Sequence, residues 1–383
     1  MVRSRISTKP LKIALVSPYD LMTPGGVNDH VSNLATQLRR KGHYVTIVAP
    51  ASGVSSYKEG THLTGRAIPF PSGGSVARIT LSLSVFSGIR RLLDEQQFDV
   101  IHLHEPMVPL LPLVTLGFSK SVNIATFHAF QGTRLNRFWS LFTRGLFNKL
   151  DCHIAVSAPA REFVSKYYPA EYQIIPNGVD LDRFSGENSL NKFKDGKVNI
   201  LFLGRMEKRK GFKYLLSAYL RAKKQFPDIR LIVAGGTQPL KELRPMLKSD
   251  TNLDIEWVGQ ISDSDVPKYY HSADIFCAPN TGNESFGIVL LEAMASGKPI
   301  IASRIDGFLG VMENDKEGVF CDPKNEEELE GALKKLIKDA KLRASMGKSG
   351  RLTAKKYSWD IISDEIEDTY FKAISKKHSK VGK

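Results

Sequence analysis

The chain has 383 residues, more than a single hydrophobic core ordinarily spans, so two domains are expected. Apolar residues at 42% and charged residues at 25% are values of a globular chain with ample core, and no low-complexity tract or short repeat interrupts them. The net charge of +14 suits polyanions in general (nucleic acid, anionic lipid headgroups, nucleotide diphosphates) and chooses none of them. Three widely spaced cysteines, Cys152, Cys277 and Cys321, lie in apolar settings with no C-x-x-C, which reads as reduced core thiols in a cytosolic protein. The apolar run IALVSP after the basic start is too short for a secretory segment. The longest apolar stretch, 107–118, is broken by Pro109 and Pro112 and falls short of the roughly 20 residues a spanning helix needs. A soluble protein, or one held at a membrane face, is expected.

Along the chain, apolar strands alternate with amphipathic helices, the pattern of parallel sheets flanked by helices. The first half predicts strands at 12–17, 44–49, 66–70, 100–104, 123–127 and 152–156. Gly25 and Gly26 precede a helix whose apolar positions include Val27, Val31, Leu34 and Leu38. Paired glycines let backbone approach a ligand, and a helix start offers free N–H groups; a plain strand–turn–helix junction also accounts for them. The run is not G-x-G-x-x-G, which disfavours a dinucleotide site. His102 and His104 lie at i and i+2 of a strand end and face one way, which raises a metal site. No third ligand follows from the spacing, and a strand end leading into a Pro turn is the simpler reading. His128 ends the next strand, either as a packed core histidine or as a hydrogen-bonding group at a ligand cleft. Segment 133–150 carries Arg134, Arg137, Arg144 and Lys149 and no acid, with Leu135, Phe138, Trp139, Phe142 and Leu146 at helical spacing. It is either a stripe packed into the core with its cations outward or a basic amphipathic helix on an anionic membrane.

Pro176-Asn177-Gly178-Val179-Asp180 is a turn and 185–196 is polar, so the domain boundary is placed after residue 184. Strands are then expected at 198–203, 230–234, 255–258, 275–278 and 299–303. Arg205 follows a strand directly, and Lys210-Gly211 precede a helix. Two cations at such a junction suit a diphosphate, Arg through forked hydrogen bonds and Lys as a point charge. Lys208 and Arg209 read as solvated surface charges. Asp180 with Asp182, and Asp263 with Asp265, read as turn or helix-start residues rather than a D-x-D metal motif. From Gly287 to Ser296 seven of ten residues are apolar, as in a helix buried on most sides, with Glu292 in its middle and in need of a partner. Ser285, Phe286 and Gly287 form its entrance with Glu284 just outside, and such an entrance favours a phosphate. A core helix with one tied carboxylate is the plainer alternative. A last helix is expected at 359–374, with a frayed basic tail in 371–383.

Glu284, seven residues and then Glu292 resemble the E-x7-E motif of retaining glycosyltransferases with the GT-B fold, a family that includes bacterial mannosyltransferases and sucrose and glycogen synthases. The SFG between them, the apolar helix and the closing SGKP make the match specific. PGGV, TFH, IPNGVD, GR-x5-KG and ESFGIVLLEAMASG follow in family order over nearly the whole chain. The resemblance implies an α/β chain of two Rossmann-like domains facing across a cleft: residues 1–184 on the acceptor side, 185–357 as the nucleotide-sugar domain, and 358–383 as a crossing helix and basic tail. It implies a donor site of Gly25, Gly26, Gly204, Arg205, Lys210, Glu284, Ser285, Phe286, Gly287, Ile288 and Glu292. Glu284 would approach the donor sugar, Glu292 the ribose hydroxyls, and His128 the hexose, while Arg205 and Lys210 neutralise the leaving diphosphate. His128, Glu284, Arg205 and Lys210 are thus the implied catalytic set, with no metal and no cofactor.

Within that family, SPYD, PGGVNDHV, SVAR at 75–78 and HEP resemble phosphatidylinositol mannosyltransferases. This implies mannose transfer from GDP-mannose to a phosphatidylinositol-type lipid, with retention through same-face attack, at the cytoplasmic membrane face. Tyr19, Asp20, Arg78 and His128 would then serve the acceptor. Ser87, Gly88, Met107 and the AFQGTR segment after His128 depart from that pattern, so a UDP-sugar and a soluble or polysaccharide acceptor form the alternative. A sugar-nucleotide epimerase and a non-enzymatic polyanion binder are more distant readings; no zinc-finger, RNP or helix-turn-helix pattern points to nucleic acid. No oligomeric state follows from the sequence.

Overall fold

A computed structural model describes residues 9–23, 25–53, 59–72, 75–129, 135–186, 188–236, 243–248 and 253–381. The chain forms two compact units, Met1–Asn177 with Trp359–Lys383, and Gly178–Ser358. The passage between them precedes the expected break after 184. Asp180 caps the short Leu181–Phe184 helix by accepting from Arg183 N, and Phe184 packs edge-on against Tyr270, so this stretch belongs to the second unit.

The first unit is built on β1 (Lys12–Val16), β2 (Tyr44–Ala51), β3 (Thr61–Ser72), β4 (Ser75–Thr80), β5 (Val100–His104), β6 (Val122–Phe127), β7 (Cys152–Ala155) and β8 (Gln173–Ile174). They lie in the order β4-β3-β2-β1-β5-β6-β7-β8. All pairs are parallel except the antiparallel β3–β4 hairpin. Both sheet faces are covered, which is why these strands are continuous apolar runs. Along β1, Ile13 and Leu15 enter one core while Ala14 and Val16 enter the other. The Gly26–Arg40 and Trp359–Val381 helices cover the first face, and the Ser84–Gln96 and Leu111–Phe118 helices the second. β4 and β8 were not expected: β4, SVARIT, has polar residues at 75, 78 and 80 and so neither alternates nor forms an apolar run, and β8 is two residues long.

The last helix runs well past residue 374. Ile362, Ile366, Tyr370 and Ala373 repeat along one face and are buried, each large side chain contributing roughly 2 kcal/mol. The expected frayed tail is helical to Val381, because Lys377 donates to Ser121 O at 2.7 Å and to Asp151 at 3.0 Å. A polar clasp holds the other side. Lys41 pairs with Asp364 and, at 2.7 Å, with Glu367. His43 accepts the Leu11 N–H at Nδ1, so its Nε2 carries the proton and donates to Glu367 at 2.8 Å.

The second unit contains β9 (Val198–Leu203), β10 (Ile229–Ala234), β11 (Ile255–Gly259), β12 (Ile275–Ala278), β13 (Ile300–Ser303) and β14 (Gly318–Cys321), all parallel, in the order β11-β10-β9-β12-β13-β14. This is the doubly wound order, with its reversal between β9 and β12. The Phe212–Lys223 and Glu326–Lys338 helices pack together on one core, while the Ile288–Ala295 helix packs on Ala340–Ala354. Among the described residues, no helix is long and apolar enough to cross a membrane.

The His43 hydrogen bond, with Lys41 beside it, outweighs burial and lowers the Glu367 carboxyl to about 2. A depressed carboxylate stabilises the fold above its unfolded value, near 4.5, and loses that contribution as pH falls toward 2. Glu367→Gln should therefore cost on the order of 2 kcal/mol at pH 7 and much less at pH 3, measured by denaturant unfolding at both pH values.

Candidate functional site

In the second unit the chemistry gathers where the strand order reverses, at the carboxyl ends of β9 and β12, the place where such sheets hold ligands. Gly204 leaves β9, and Gly235, leaving β10 with φ +95°, lies so close to it that a Cβ there would sit 2.8 Å from Gly204 O. Arg205 follows, 60% exposed, its guanidinium 3.1 Å from Glu207. A short 3-10 turn, Lys208–Lys210, brings Lys210 inward, where its Nζ lies 2.8 Å from Glu284 Oε2 and its side chain is only 15% exposed. Gly211 ends the turn at φ +68°, and a Cβ there would lie 1.8 Å from Pro279 O. Thr281 N donates to Arg209 O at 2.8 Å, so the turn after β9 is bound to the loop after β12.

Glu284 is held from several sides. Asn280 Nδ2 donates to the oxygen that meets Lys210, at 3.1 Å, and Arg209 lies 3.7 Å from it. Arg209 also donates to Glu207 at 2.7 Å and to Asn283 O at 3.2 Å. Expected to be a solvated charge, Arg209 instead joins Glu207 and Lys210 into one network around Glu284. Sequence reasoning missed Glu207, Arg209 and Asn280, because their roles arise only when two loops meet. Phe286 is buried, and Gly287, at φ +94°, begins the Ile288–Ala295 helix where a Cβ would strike Phe308. Glu292, half-buried rather than wholly enclosed, has the partner it needed: Tyr270 donates its hydroxyl at 2.9 Å. Burial and the Glu292 charge push the Tyr270 phenol well above its ordinary value, so it remains a donor.

In the first unit the corresponding reversal lies between β1 and β5. Asp20, just after β1, is fully buried. Its Oδ1 accepts from Met22 N and Ser52 N, and its Oδ2 from Thr23 Oγ1 and Arg78 Nε, all at 3.0–3.1 Å. Burial raises its carboxyl, but the bonds from Ser52, Met22 and Thr23 bring it below the ordinary value. Asp20 thus ties the loop after β1 to the β3–β4 hairpin through Arg78, with both of its oxygens engaged. Asn28 completes the anchor, donating to Asp20 O at 2.8 Å and accepting from Ser17 Oγ at 2.8 Å. Burial and the Glu105 charge raise the Tyr19 phenol, leaving it protonated. Gly25 is extended and has open space where a Cβ would be, as a close approach to a ligand needs. Pro24 and residues 130–134, part of the AFQGTR segment, lie outside the described residues.

His128, directly after β6, does not stand alone. Its Nε2 is 3.1 Å from His104 Nδ1, and Glu105 Oε1 accepts its backbone N–H and that of Ala129 at 2.5 and 2.6 Å. Burial raises the Glu105 carboxyl to about 7 against those two hydrogen bonds. His30, on the Gly26–Arg40 helix, joins the group and bonds Asn177 at 2.8 Å. Burial lowers His30 to about 4 and, with the charges of neighbouring rings, holds His104 and His128 well below the ordinary value, so all three are neutral at pH 7. His102 and His104 do face one way, their rings stacked at 4.4 Å, but His102 offers no free nitrogen. Its ring nitrogens bond Tyr370 and Thr126, both at 2.7 Å, and the nitrogen that meets His104 Nδ1 belongs to His128.

Residues 187–353 match the family model "Glycosyl transferases group 1", and 24–183 match "Glycosyltransferase Family 4". A phosphatidyl-myo-inositol mannosyltransferase of Mycobacterium leprae is 36% identical over 97% of this chain and 99% of its own. The chain belongs to glycosyltransferase family 4. A glycosyltransferase structure from Rickettsia africae superposes with TM-score 0.78 at 20% identity, covering 96% of this chain and 99% of that one. Anabaena HepE, solved in complex with UDP and glucose, gives 0.71 at 17% identity over 94% and 99%. The fold is therefore GT-B, with two Rossmann-like domains, and the chain is a sugar-transferring enzyme.

Because Gly211 is both left-handed and pressed against the Pro279 carbonyl, Gly211→Ala should cost about 2 kcal/mol or more and displace Lys210. A lowered melting temperature together with lost nucleotide binding is the expected result, read by thermal shift with and without nucleotide.

Proposed function

We propose that this family 4 enzyme transfers mannose from GDP-mannose to a phosphatidylinositol-type lipid with retention of configuration, without a metal at the leaving group. The observation that carries the donor half is the Arg205–Lys210–Glu284 cluster at the strand-order reversal of the second unit. Departure of a nucleoside diphosphate leaves negative charge on oxygen as the sugar becomes oxocarbenium-like. Exposed Arg205 offers a forked donor set, Lys210 a point charge, and the N–H groups at the start of the Ile288–Ala295 helix a positive dipole end. Glu284, already oriented by Lys210 and Asn280, would accept from sugar hydroxyls, and Glu292, braced by Tyr270, from the ribose. His128 is assigned to the hexose by the family pattern. Same-face attack needs no covalent carboxylate. The mannosyltransferase relative at 36% identity over nearly the whole chain supports mannose and the lipid acceptor.

The first unit favours a membrane-borne acceptor. On the Leu135–Phe147 helix, Ser140, Thr143 and Phe147 face inward, whereas Phe138, Leu141 and Phe142 are 64%, 65% and 82% exposed. Phe138, Leu141 and Phe142 thus look outward, and Arg137 and Arg144, at the margin of that face by helical spacing, are exposed as well. Trp139 fixes the helix by donating to Met107 O at 2.7 Å. Leu83, and Phe86 in edge contact with Phe118, add exposed apolar surface on two other helices of this unit. Large apolar side chains flanked by cations match the interface of an anionic membrane.

Two measurements test the proposal. By calorimetry, Glu284→Ala should weaken GDP-mannose far more than GDP, Glu292→Gln should weaken both, and Arg205→Ala should slow transfer roughly a hundredfold. Equal losses for sugar nucleotide and bare nucleotide in Glu284→Ala would remove Glu284 from the hexose, and a preference for UDP-sugars would replace the donor. In vesicle co-sedimentation, binding to phosphatidylinositol-containing membranes should fall with salt, and Leu141→Ser with Phe142→Ser should weaken it about tenfold or more. No sedimentation with anionic vesicles at low salt would point to a soluble acceptor.

A further inference from the structure

Three imidazoles from separate elements meet inside the first unit. His30 comes from the Gly26–Arg40 helix, His104 is the last residue of β5, and His128 follows β6. All are buried, and one ring nitrogen from each lies within 4.8 Å of the other two. Nε2 of His30 and Nε2 of His104 have no hydrogen-bond partner among the described residues. Buried polar atoms in that condition are uncommon and costly, and need a reason.

The details fit a ligand set. Asn177 Oδ1 lies 2.8 Å from His30 Nδ1; an oxygen accepts, so Nδ1 carries the proton and Nε2 presents a bare lone pair. A histidine whose second nitrogen is fixed by such an oxygen is the usual arrangement behind a bound metal. His104 Nδ1 and His128 Nε2 are 3.1 Å apart. That distance serves an N–H···N bond, and it is also close to the roughly 3.3 Å between two imidazole nitrogens on one tetrahedral zinc. In that ligand set His104 binds through Nδ1 and keeps its proton on Nε2, so the unpartnered atom that the ion would satisfy is His30 Nε2. Trp359 stands edge-on to His30 at 5.1 Å and the His102 ring stacks on His104 at 4.4 Å, so other rings wall the cluster.

We propose that His30, His104 and His128 bind a single transition-metal dication, zinc foremost. Three neutral nitrogens without a carboxylate suit zinc, cobalt, nickel or copper and disfavour magnesium and calcium, which take oxygen. Three protein ligands leave a fourth position for water or a small anion. The ion engages the His128 ring that the transferase reading gives to the donor hexose, so zinc should also inhibit sugar transfer. Only this inhibition rests on that reading; the binding site does not.

The test uses the full chain, stripped with a chelator and dialysed against micromolar zinc or cobalt chloride. Elemental analysis should find one ion per chain, and the cobalt form should show the intense visible bands of a four-coordinate site. His30→Gln and His104→Gln should each weaken binding about tenfold or more. His378→Ala, exposed on the Trp359–Val381 helix, should bind as the parent does. Should the glutamine variants not fold, imidazole-nitrogen NMR of the unmutated chain gives the same answer: zinc should move the ring signals of His30, His104 and His128 and leave those of His62 and His378. Absence of stoichiometric binding by the unmutated chain, or full binding in both folded glutamine variants, overturns the site. Binding without inhibition supports the site and removes His128 from the donor hexose.

Discussion

Each sheet reverses its strand order once, and the chemistry of the chain depends on those two reversals. Right-handed crossovers send neighbouring helices to opposite faces wherever the order reverses, and no connection covers the carboxyl ends between them. At β9 and β12 that uncovered edge carries the loops of Arg205, Lys210 and Glu284. At β1 and β5 it carries Tyr19 and Asp20 on one side and His104 and Glu105 on the other. Helix starts and strand ends converge at such an edge, so backbone N–H groups and short polar loops lie together without any element having to distort.

Around the second reversal the loops are held by close backbone approach as much as by charge. Gly211 against Pro279, Gly307 against the Glu284 carbonyl and Gly287 against Phe308 each leave no room for a Cβ. These contacts bring two separately coded loops close enough for Lys210, Arg209 and Asn280 to reach one carboxylate. A carboxylate fixed in this way does not have to be reorganised when a ligand arrives, which is the condition under which electrostatic stabilisation is most effective. Arg205 is the contrasting case: its guanidinium meets Glu207 through Nη2 at 3.1 Å and is otherwise largely exposed, with donors that can turn to a phosphate.

The first unit is closed by a chain segment from the far end of the sequence. Lys41 and His43 grip Glu367, Tyr370 bonds His102, and Trp359 rests on His30, so the last helix reaches from a surface clasp to the buried histidines. Opposite demands shape the Leu135–Phe147 helix, which turns its small polar residues Ser140 and Thr143 inward beside Phe147 and its bulky Phe138, Leu141 and Phe142 outward. Thr143 is satisfied inside by Tyr168 at 2.6 Å, so polar groups on the buried face carry little penalty.

The features that depend on local period and spacing were legible in the residues alone. Continuous apolar strands alternating with helices specified the parallel sheets, since strands buried on both faces must be apolar throughout, and the family order of PGGV, GR-x5-KG and E-x7-E carried the enzyme class. Tertiary structure alone decided the rest. The inward face of the Leu135–Phe147 helix could not be read from the stripe, because a stripe defines two faces and only its neighbours choose between them. Asp20 became an anchor because Ser52 and Arg78, distant in the chain, occupy its oxygens. Arg209 joined the Glu284 network, and His30 and His128 completed the cluster begun by His104, for the same reason. Parallel sheets place neighbouring strands tens of residues apart in sequence, so groups that touch at their ends leave no common spacing along the chain.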